Sequence, residues 1–276
     1  MTNLPPSAGV IGWPVAHSKS PLIHRFWLAK LGIDGDYGRF PVAPGRLGAA
    51  IRALPAMGLR GVNVTVPHKV AVMPFLDRVA PIAVRVGAVN TVVVEGDAVV
   101  GYNSDVDGVA AALPGIDGAS TPCLIGAGGA ARAVLARLEP GRVGGILVVA
   151  RNRTKAQGLL DEFGLRGTVC DFADTAAIAA CDSITNATTL GMTGQPPIPD
   201  SILAALGGAD AAAVPVFDMV YSPRETPLLD AARAGGHPAV DGLTMLIGQA
   251  AAAFGLFFGA TAPREHDAEL RALLIA

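Results

Sequence analysis

The feature that most constrains the fold is a glycine turn set between a short apolar strand and a helix. Pro122 to Ile125 form an apolar run, Gly126, Gly128 and Ala131 follow in the spacing G-x-G-x-x-A, and a helical pattern continues from Ala130 to Leu138. In that context Gly126 permits the tight turn, Gly128 lets the backbone approach a pyrophosphate, and Ala131 lets helix and sheet pack closely. The helix N-terminus then offers N–H groups to phosphate oxygens. Further apolar strands are predicted at Ile146 to Ala150, Thr168 to Cys170, Ser183 to Asn186, Val214 to Met219 and Pro238 to Val240. Six strands separated by helices predict a Rossmann-type, doubly wound parallel sheet.

The first hundred residues show a second α/β alternation. Strands are predicted at Ala8 to Gly12, Tyr37 to Val42, Gly61 to Val66 and Ala88 to Val94, with helices from Pro21, Pro44 and Pro81. The apolar helix from Leu243 and the last helix from Arg264 have no strand left to cross to, so they are expected to pack back on the first domain. The expected division is therefore a discontinuous α/β substrate domain, residues 1–105 plus 241–276, and a Rossmann-type nucleotide domain, residues 106–240. A chain of 276 residues has room for two such cores.

Composition narrows the partners. With 51% hydrophobic residues, 16% charged residues and a formal net charge of −2, the chain carries no electrostatic footprint for nucleic acid or an anionic membrane, which leaves small molecules. Leu243 to Phe258 is nearly all apolar, yet it is shorter than the ~18 to 20 residues a membrane span needs. It reads as a buried helix in which the Gln249 amide needs a polar partner. The opening residues, broken by Pro5, Pro6, Gly9, Gly12 and Pro14, do not read as a signal peptide. Cys123, Cys170 and Cys181 form no C-x-x-C pair and leave an odd count, which fits a reducing cytoplasm rather than a disulfide framework. No metal site is predicted.

Chemistry concentrates in a few short segments. Asn63 to Lys69 reads Asn-Val-Thr-Val-Pro-His-Lys: Asn63 and Thr65 alternate with Val62, Val64 and Val66, and Pro67, lacking an N–H, stops the ladder. Lys69 is one of only four lysines (Lys19, Lys30, Lys69, Lys155) among 21 basic residues. Where arginine is the default cation, a lysine suits proton exchange. Asp105, at the junction into a helix over Val109 to Leu113, is either a helix-start carboxylate or the partner of that lysine. Together the two would form a positioned proton donor for a carbonyl reduction. Ser18 and Ser20 precede a helix; Ser20 reads as its N-cap with Pro21 first in the helix. The extra hydroxyl of Ser18 makes the pair a candidate carboxylate site as well. After the second nucleotide-domain strand comes Arg151-Asn152-Arg153-Thr154-Lys155, with no carboxylate for a ribose hydroxyl. Those cations suit the 2′-phosphate of NADP.

Taken in order, these segments resemble the shikimate dehydrogenases, NADP-dependent reductases of 3-dehydroshikimate, over nearly the whole chain. Ser18 to Pro21 is similar to the family's substrate-carboxylate motif and Asn63 to Lys69 to its catalytic motif. Ala88 to Thr91 and Asn103 to Asp105 are similar to its remaining ring-hydroxyl and catalytic motifs. Gly126 to Arg132 resembles its glycine loop, Asn152 to Thr154 its NADP selector and Asn186 to Met192 its nicotinamide-side loop. Asp218 to Tyr221 with Thr226-Pro227, and Gly242 to Gln249, complete the series. The resemblance implies that Lys69 and Asp105 are catalytic. It implies that Ser18 and Ser20 hold the carboxylate, that Asn63, Thr65, Asn90 and Gln249 hold ring hydroxyls, and that Tyr221 lies near the substrate. For NADP it implies Gly126, Ala127, Gly128, Gly129, Ala130, Asn152, Arg153, Thr154, Lys155, Thr188, Met192 and Gly242. Three positions depart from the pattern: Ser104 for Thr, Val106 for Gly, and Gln157 where many members have a second arginine. The implied activity is NADPH-dependent reduction of 3-dehydroshikimate to shikimate in aromatic amino acid biosynthesis, by a cytoplasmic monomer or homodimer. A quinate or quinate/shikimate dehydrogenase is the nearest alternative. A non-catalytic NADP sensor on the same fold is a different class, and it would have no need of Lys69 and Asp105.

Overall fold

The computed structural model describes residues 5–118, 121–207 and 213–275. The chain divides into two compact units, one of residues Met1–Ser104 with Gln249–Ala276 and one of Asp105–Gly248. The second division falls inside an apolar helix rather than ahead of it.

In chain order the first unit holds β1 (Ser7–Gly12), α1 (Ser20–Leu31), β2 (Asp36–Pro41), α2 (Leu47–Ala53), β3 (Gly61–Val64), α3 (His68–Ala71), β4 (Arg78–Val79), α4 (Pro81–Val86), β5 (Thr91–Glu95) and β6 (Ala98–Tyr102). The second unit holds α5 (Asp105–Ala112), β7 (Pro122–Ile125), α6 (Gly129–Arg137), β8 (Ile146–Val149), α7 (Arg153–Phe163), β9 (Gly167–Cys170), α8 (Thr175–Ala179), β10 (Ser183–Asn186), α9 (Asp200–Ala204), β11 (Val216–Asp218), α10 (Pro227–Ala234) and β12 (Ala239–Val240). Helix α11 (Gly242–Phe258) contains the division, and α12 (Asp267–Ile275) ends the chain in the first unit.

The sheet of the second unit is parallel throughout, in the order β9-β8-β7-β10-β11-β12. Numbered from its own first strand this is 3-2-1-4-5-6, the doubly wound order whose switch point lies beside the first strand. The central strands β7, β8, β10 and β11 are short and buried on both faces, as helix-covered parallel strands must be, whereas the edge strands β9 and β12 are partly exposed.

The sheet of the first unit is mixed, in the order β2-β1-β3-β5-β6-β4. Strand β3 pairs parallel with β1 and antiparallel with β5, and β5 with β6 makes a hairpin in which Glu95 faces Ala98. Strand β6 was not anticipated. Its signal is present, since the two-residue Gly96-Asp97 loop between apolar runs marks a tight hairpin and Gly96 has φ +65°. Strand β4, two residues long, carries no such signal.

Two predicted strands of the first unit are shorter than expected, and in the second unit the strand predicted over Val214 to Met219 narrows to Val216–Asp218. β3 ends at Val64, so Val66 lies beyond it and is 69% exposed. Ala88 to Asn90 is not ladder: the Val89 N–H bonds the Lys69 carbonyl and the Asn90 N–H bonds the Tyr102 carbonyl. In α11, Leu243, Ile247, Ala250, Phe254 and Phe257 are buried at helical spacing while Leu256 is exposed. Gln249 is half-buried rather than fully buried. No helix among the described residues is long and apolar enough to cross a membrane.

Candidate active site

One face of the first sheet carries a polar row. In the parallel register Ala8 stands opposite Tyr37 and Gly61, and Val10 opposite Asn63, while Asn63 faces Thr91 across the antiparallel pair. Val62, Val64 and Val92 point to the opposite face and build an apolar core with Ile11, Leu47 and Ile51. The alternation in the sequence therefore separates chemistry from packing, with Val66 excepted.

The row is closed by hydrogen bonds. Tyr37 Oη donates to Asn63 Oδ1 at 2.6 Å, and Asn63 Nδ2 donates to the Asn90 carbonyl at 3.2 Å and to Thr91 Oγ1 at 3.0 Å. Thr91 Oγ1 donates to Asn90 Oδ1 at 3.0 Å, and Asn90 Nδ2 donates to Ser104 Oγ at 3.1 Å. The Ser104 N–H closes the loop on Asn90 Oδ1 at 2.7 Å. At the start of α1, Ser18 Oγ donates to Ser20 Oγ at 3.3 Å. Asn63, Asn90, Thr91 and Ser104 are all buried, where unpaired polar groups would be costly. Ser18 and Ser20 form a separate pair, while Asn63 and Asn90 share one network. Its member Tyr37 was missed by the sequence reading, because a lone tyrosine in a predicted strand looks like core.

Helix α1 is capped differently from the expectation. Ser20 is its first residue and Lys19 its N-cap, with no side-chain cap bond; the Ser20 N–H bonds Ser18 Oγ at 3.3 Å. The Lys19 ammonium instead reaches the Leu274 carbonyl on α12.

Thr65 is half-buried, with its N–H on the Ile11 carbonyl and its methyl against Gly12, where a Cβ would lie 2.5 Å away. Lys69 is half-buried on the single turn α3. That turn is anchored by its buried neighbour His68, whose Nε2 lies 2.7 Å from the Val42 carbonyl. Asp105 is the first residue of α5 and so belongs to the second unit; it follows Ser104 of the buried network directly in the chain. The helix begins four positions before Val109, and Asp105 and Asp107 both sit in its first turn, where carboxylates complement the helix dipole.

In the second unit the glycine loop has the geometry of an anion cradle. Gly126 has φ +111°, and a Cβ there would lie 2.6 Å from Thr188 Cγ2. Gly128 and Gly129 face open space, Ala127 is half-exposed, Ala130 is exposed and Ala131 is buried. Helix α6 starts with no side-chain cap, whereas α7, α8 and α10 are capped by Asn152, Asp174 and Thr226. Its first-turn N–H groups are therefore not consumed by a side chain, and the residues fit a pyrophosphate. The loop after β10 is braced: Thr188 Oγ1 donates to Asn186 Oδ1 at 2.6 Å, and Asn186 Nδ2 donates to Asp218 Oδ1 at 2.9 Å. Burial pushes the Asp218 carboxyl up, while Thr226, the Val220 N–H and Asn186 stabilise its charge.

The proposed selector is more tethered than its sequence suggests. Arg151, Asn152, Arg153, Thr154 and Lys155 are all exposed, and Asn152 Oδ1 caps α7 by accepting the Lys155 N–H at 2.9 Å. The Arg153 guanidinium gives one N–H to the Val169 carbonyl at 2.7 Å, leaving its other donors to a ligand. Gln157 Nε2 is turned to Asp161. Met192 is half-buried and Tyr221 is 41% exposed. Gly242 is tightly packed, since a Cβ would lie 2.3 Å from the Met219 carbonyl, so its glycine is demanded by the backbone.

A parallel sheet in this strand order with a glycine turn at its centre, in a chain that also carries a buried polar network and a turn-mounted lysine, defines a two-domain dinucleotide-binding α/β protein of the oxidoreductase type. Residues 10–92 match the shikimate dehydrogenase substrate binding domain, and residues 242–269 match the shikimate 5′-dehydrogenase C-terminal domain. The shikimate dehydrogenase (NADP(+)) of Sphingopyxis alaskensis is 50% identical over 98% of this chain and 97% of its own. That of Paramagnetospirillum magneticum is 47% identical over 98% of both. Among solved structures, shikimate 5-dehydrogenase from Thermus thermophilus in complex with NADP(H) and shikimate aligns with a TM-score of 0.81, 33% identity and coverage of 97% of this chain and 99% of that one. The Listeria monocytogenes enzyme in complex with shikimate and NAD aligns with a TM-score of 0.85, 30% identity and coverage of 99% and 98%. The chain belongs to the shikimate dehydrogenase family.

Proposed function

We propose that this protein reduces 3-dehydroshikimate to shikimate reversibly with NADPH, as a step of aromatic amino acid biosynthesis. The observation that carries the reading is the buried hydrogen-bonded network through Tyr37, Asn63, Thr91, Asn90 and Ser104, whose hydroxyl and amide groups suit a polyhydroxy ring, together with the Ser18–Ser20 hydroxyl pair at the start of α1, which suits a carboxylate. The unit with residues Met1–Ser104 and Gln249–Ala276 is the substrate domain, and Asp105–Gly248 is the NADP domain.

NADPH, when held at the glycine loop, would supply a hydride for the substrate carbonyl. Lys69 and Asp105 supply and position the proton that the developing alkoxide needs. Ser18 and Ser20 hold the carboxylate, while Asn63, Thr65, Asn90 and Gln249 take ring hydroxyls and Tyr221 lies near the substrate. Gly126 to Ala130, Thr188, Met192 and Gly242 line the cofactor site, and Arg153 with Asn152, Thr154 and Lys155 holds the 2′-phosphate. Three free, buried thiols suit a reducing compartment, and the cytoplasm is the proposed location.

The test is a panel in the oxidative direction: shikimate and quinate, each with NADP and with NAD. Shikimate with NADP is expected to give the highest kcat/KM. Higher kcat/KM for quinate would replace the substrate assignment, and higher kcat/KM with NAD would replace the selector.

A further inference from the structure

Tyr37 and His24 are given no role in the reaction described above, yet both are fully buried. Tyr37 is fully buried on edge strand β2, and its side chain reaches across β1 to Asn63 on β3. The His24 ring lies flat on the Tyr37 ring, with centroids 4.0 Å apart and planes 2° apart. Trp27, Phe254 and Phe257 surround that imidazole, and neither of its nitrogens has a hydrogen-bond partner. The stack thus fixes the phenol by packing alone.

The consequence falls on Asn63. Both protons of its Nδ2 are committed, to the Asn90 carbonyl and to Thr91 Oγ1. The carbonyl can only accept, so these bonds set which end of the amide is nitrogen. Oδ1 takes the Tyr37 proton on one lone pair and keeps the other. The single remaining capacity of Asn63 is to accept, and its direction is set by Tyr37.

We propose that Tyr37, clamped by His24, is a positioning residue that orients the Asn63 amide so that its oxygen accepts from a substrate ring hydroxyl. The inference rests on the reading of Asn63 as a substrate residue. Without the phenol, Oδ1 loses its buried donor and the amide is held by its two Nδ2 bonds alone, which loosens the direction of the oxygen, weakens hydroxyl recognition and leaves the nucleotide site untouched.

The experiment is a mutant cycle on the full chain, with KM for shikimate, KM for NADP, kcat and thermal melting measured for each protein. Tyr37→Phe is expected to raise KM for shikimate about tenfold, with KM for NADP unchanged and kcat within about threefold. Loss of folded enzyme alone would lower kcat and leave KM in place, so this split separates positioning from stability. In an Asn63→Ala background, Tyr37→Phe should add nothing further to KM. Thr91→Val, which removes the other side-chain anchor of the same amide, should raise KM for shikimate at least about threefold and keeps the test open if Tyr37→Phe does not fold. An unchanged KM in Tyr37→Phe and Thr91→Val, with Asn63→Ala raising it, overturns the positioning role alone. An unchanged KM in Asn63→Ala overturns the reading of Asn63 and the inference with it. Full additivity of Tyr37→Phe and Asn63→Ala also overturns the inference.

Discussion

Lys69 sits on a turn of four residues whose neighbour His68 is bonded into the core, so the ammonium is carried by a fixed backbone while its side chain stays half-exposed. Lys69→Ala is predicted to lower kcat by ~100-fold or more, the scale of a positioned general acid, with shikimate affinity retained; near-normal turnover of the folded variant would remove Lys69 from the mechanism. His24 gives a pH prediction. Burial lowers its pKa from 6.5 to about 3, so between those values the unfolded chain binds a proton that the folded chain does not. Stability from this group is therefore full above pH 6.5 and is lost as pH falls, by about 1.4 kcal/mol per unit. Denaturant unfolding of His24→Leu at pH values of about 6.5 and about 4.5, inside that window, should show a shallower pH dependence than wild type; an equal slope would mean the imidazole is not buried in solution. Arg153→Asp is predicted to cut the preference for NADP over NAD by at least ~10-fold in kcat/KM, equal to about 1.4 kcal/mol, and an unchanged ratio would move the selector to Arg151 or Lys155. At this scale the sequence showed the residues that break a local rule, such as Lys69 among arginines. It hid Tyr37, His24 and His68, whose roles depend on partners distant in the chain.

Among the elements, the glycine turn makes the sharpest contrast. Gly126 needs its positive φ and has no room for a methyl, whereas Gly128 has a negative φ and nothing near the position of a Cβ. Gly126→Ala is predicted to lose about 1 to 3 kcal/mol of stability through backbone strain. Gly128→Ala should melt within a few degrees of wild type and still raise KM for NADP, because the added methyl would occupy the open space proposed for phosphate. Equal melting temperatures for the two variants would contradict this account of the turn. The strands of the second unit were legible because each is a short apolar run bounded by turn residues, and Ser183–Asn186 falls where it was predicted. The first unit was less so. Val66 continues the valine pattern past the end of β3, since Pro67 cannot extend the ladder and hydrophobic alternation alone does not report that. The β5–β6 hairpin was missed although its Gly96-Asp97 turn was in view, and β4 is too short to carry a pattern.

At the level of the whole molecule, the sequence pattern led to two α/β domains with the chain returning to the first, and the chain divides into the compact units Met1–Ser104 with Gln249–Ala276 and Asp105–Gly248. The return point could not be read from composition, because α11 is apolar on both sides of Gly248 and continuous as a helix. The family was legible because its motifs occur as one ordered series from Ser18 to Gln249, and relatives at 50% and 47% identity match 98% of the chain. The central claim is a reaction, and its most direct test is NADPH consumption by the purified full-length protein on addition of 3-dehydroshikimate, with shikimate quantified in the same sample. The predicted result is one shikimate formed per NADPH oxidised, at a rate proportional to enzyme. No NADPH oxidation by folded protein, or oxidation without shikimate, would contradict it.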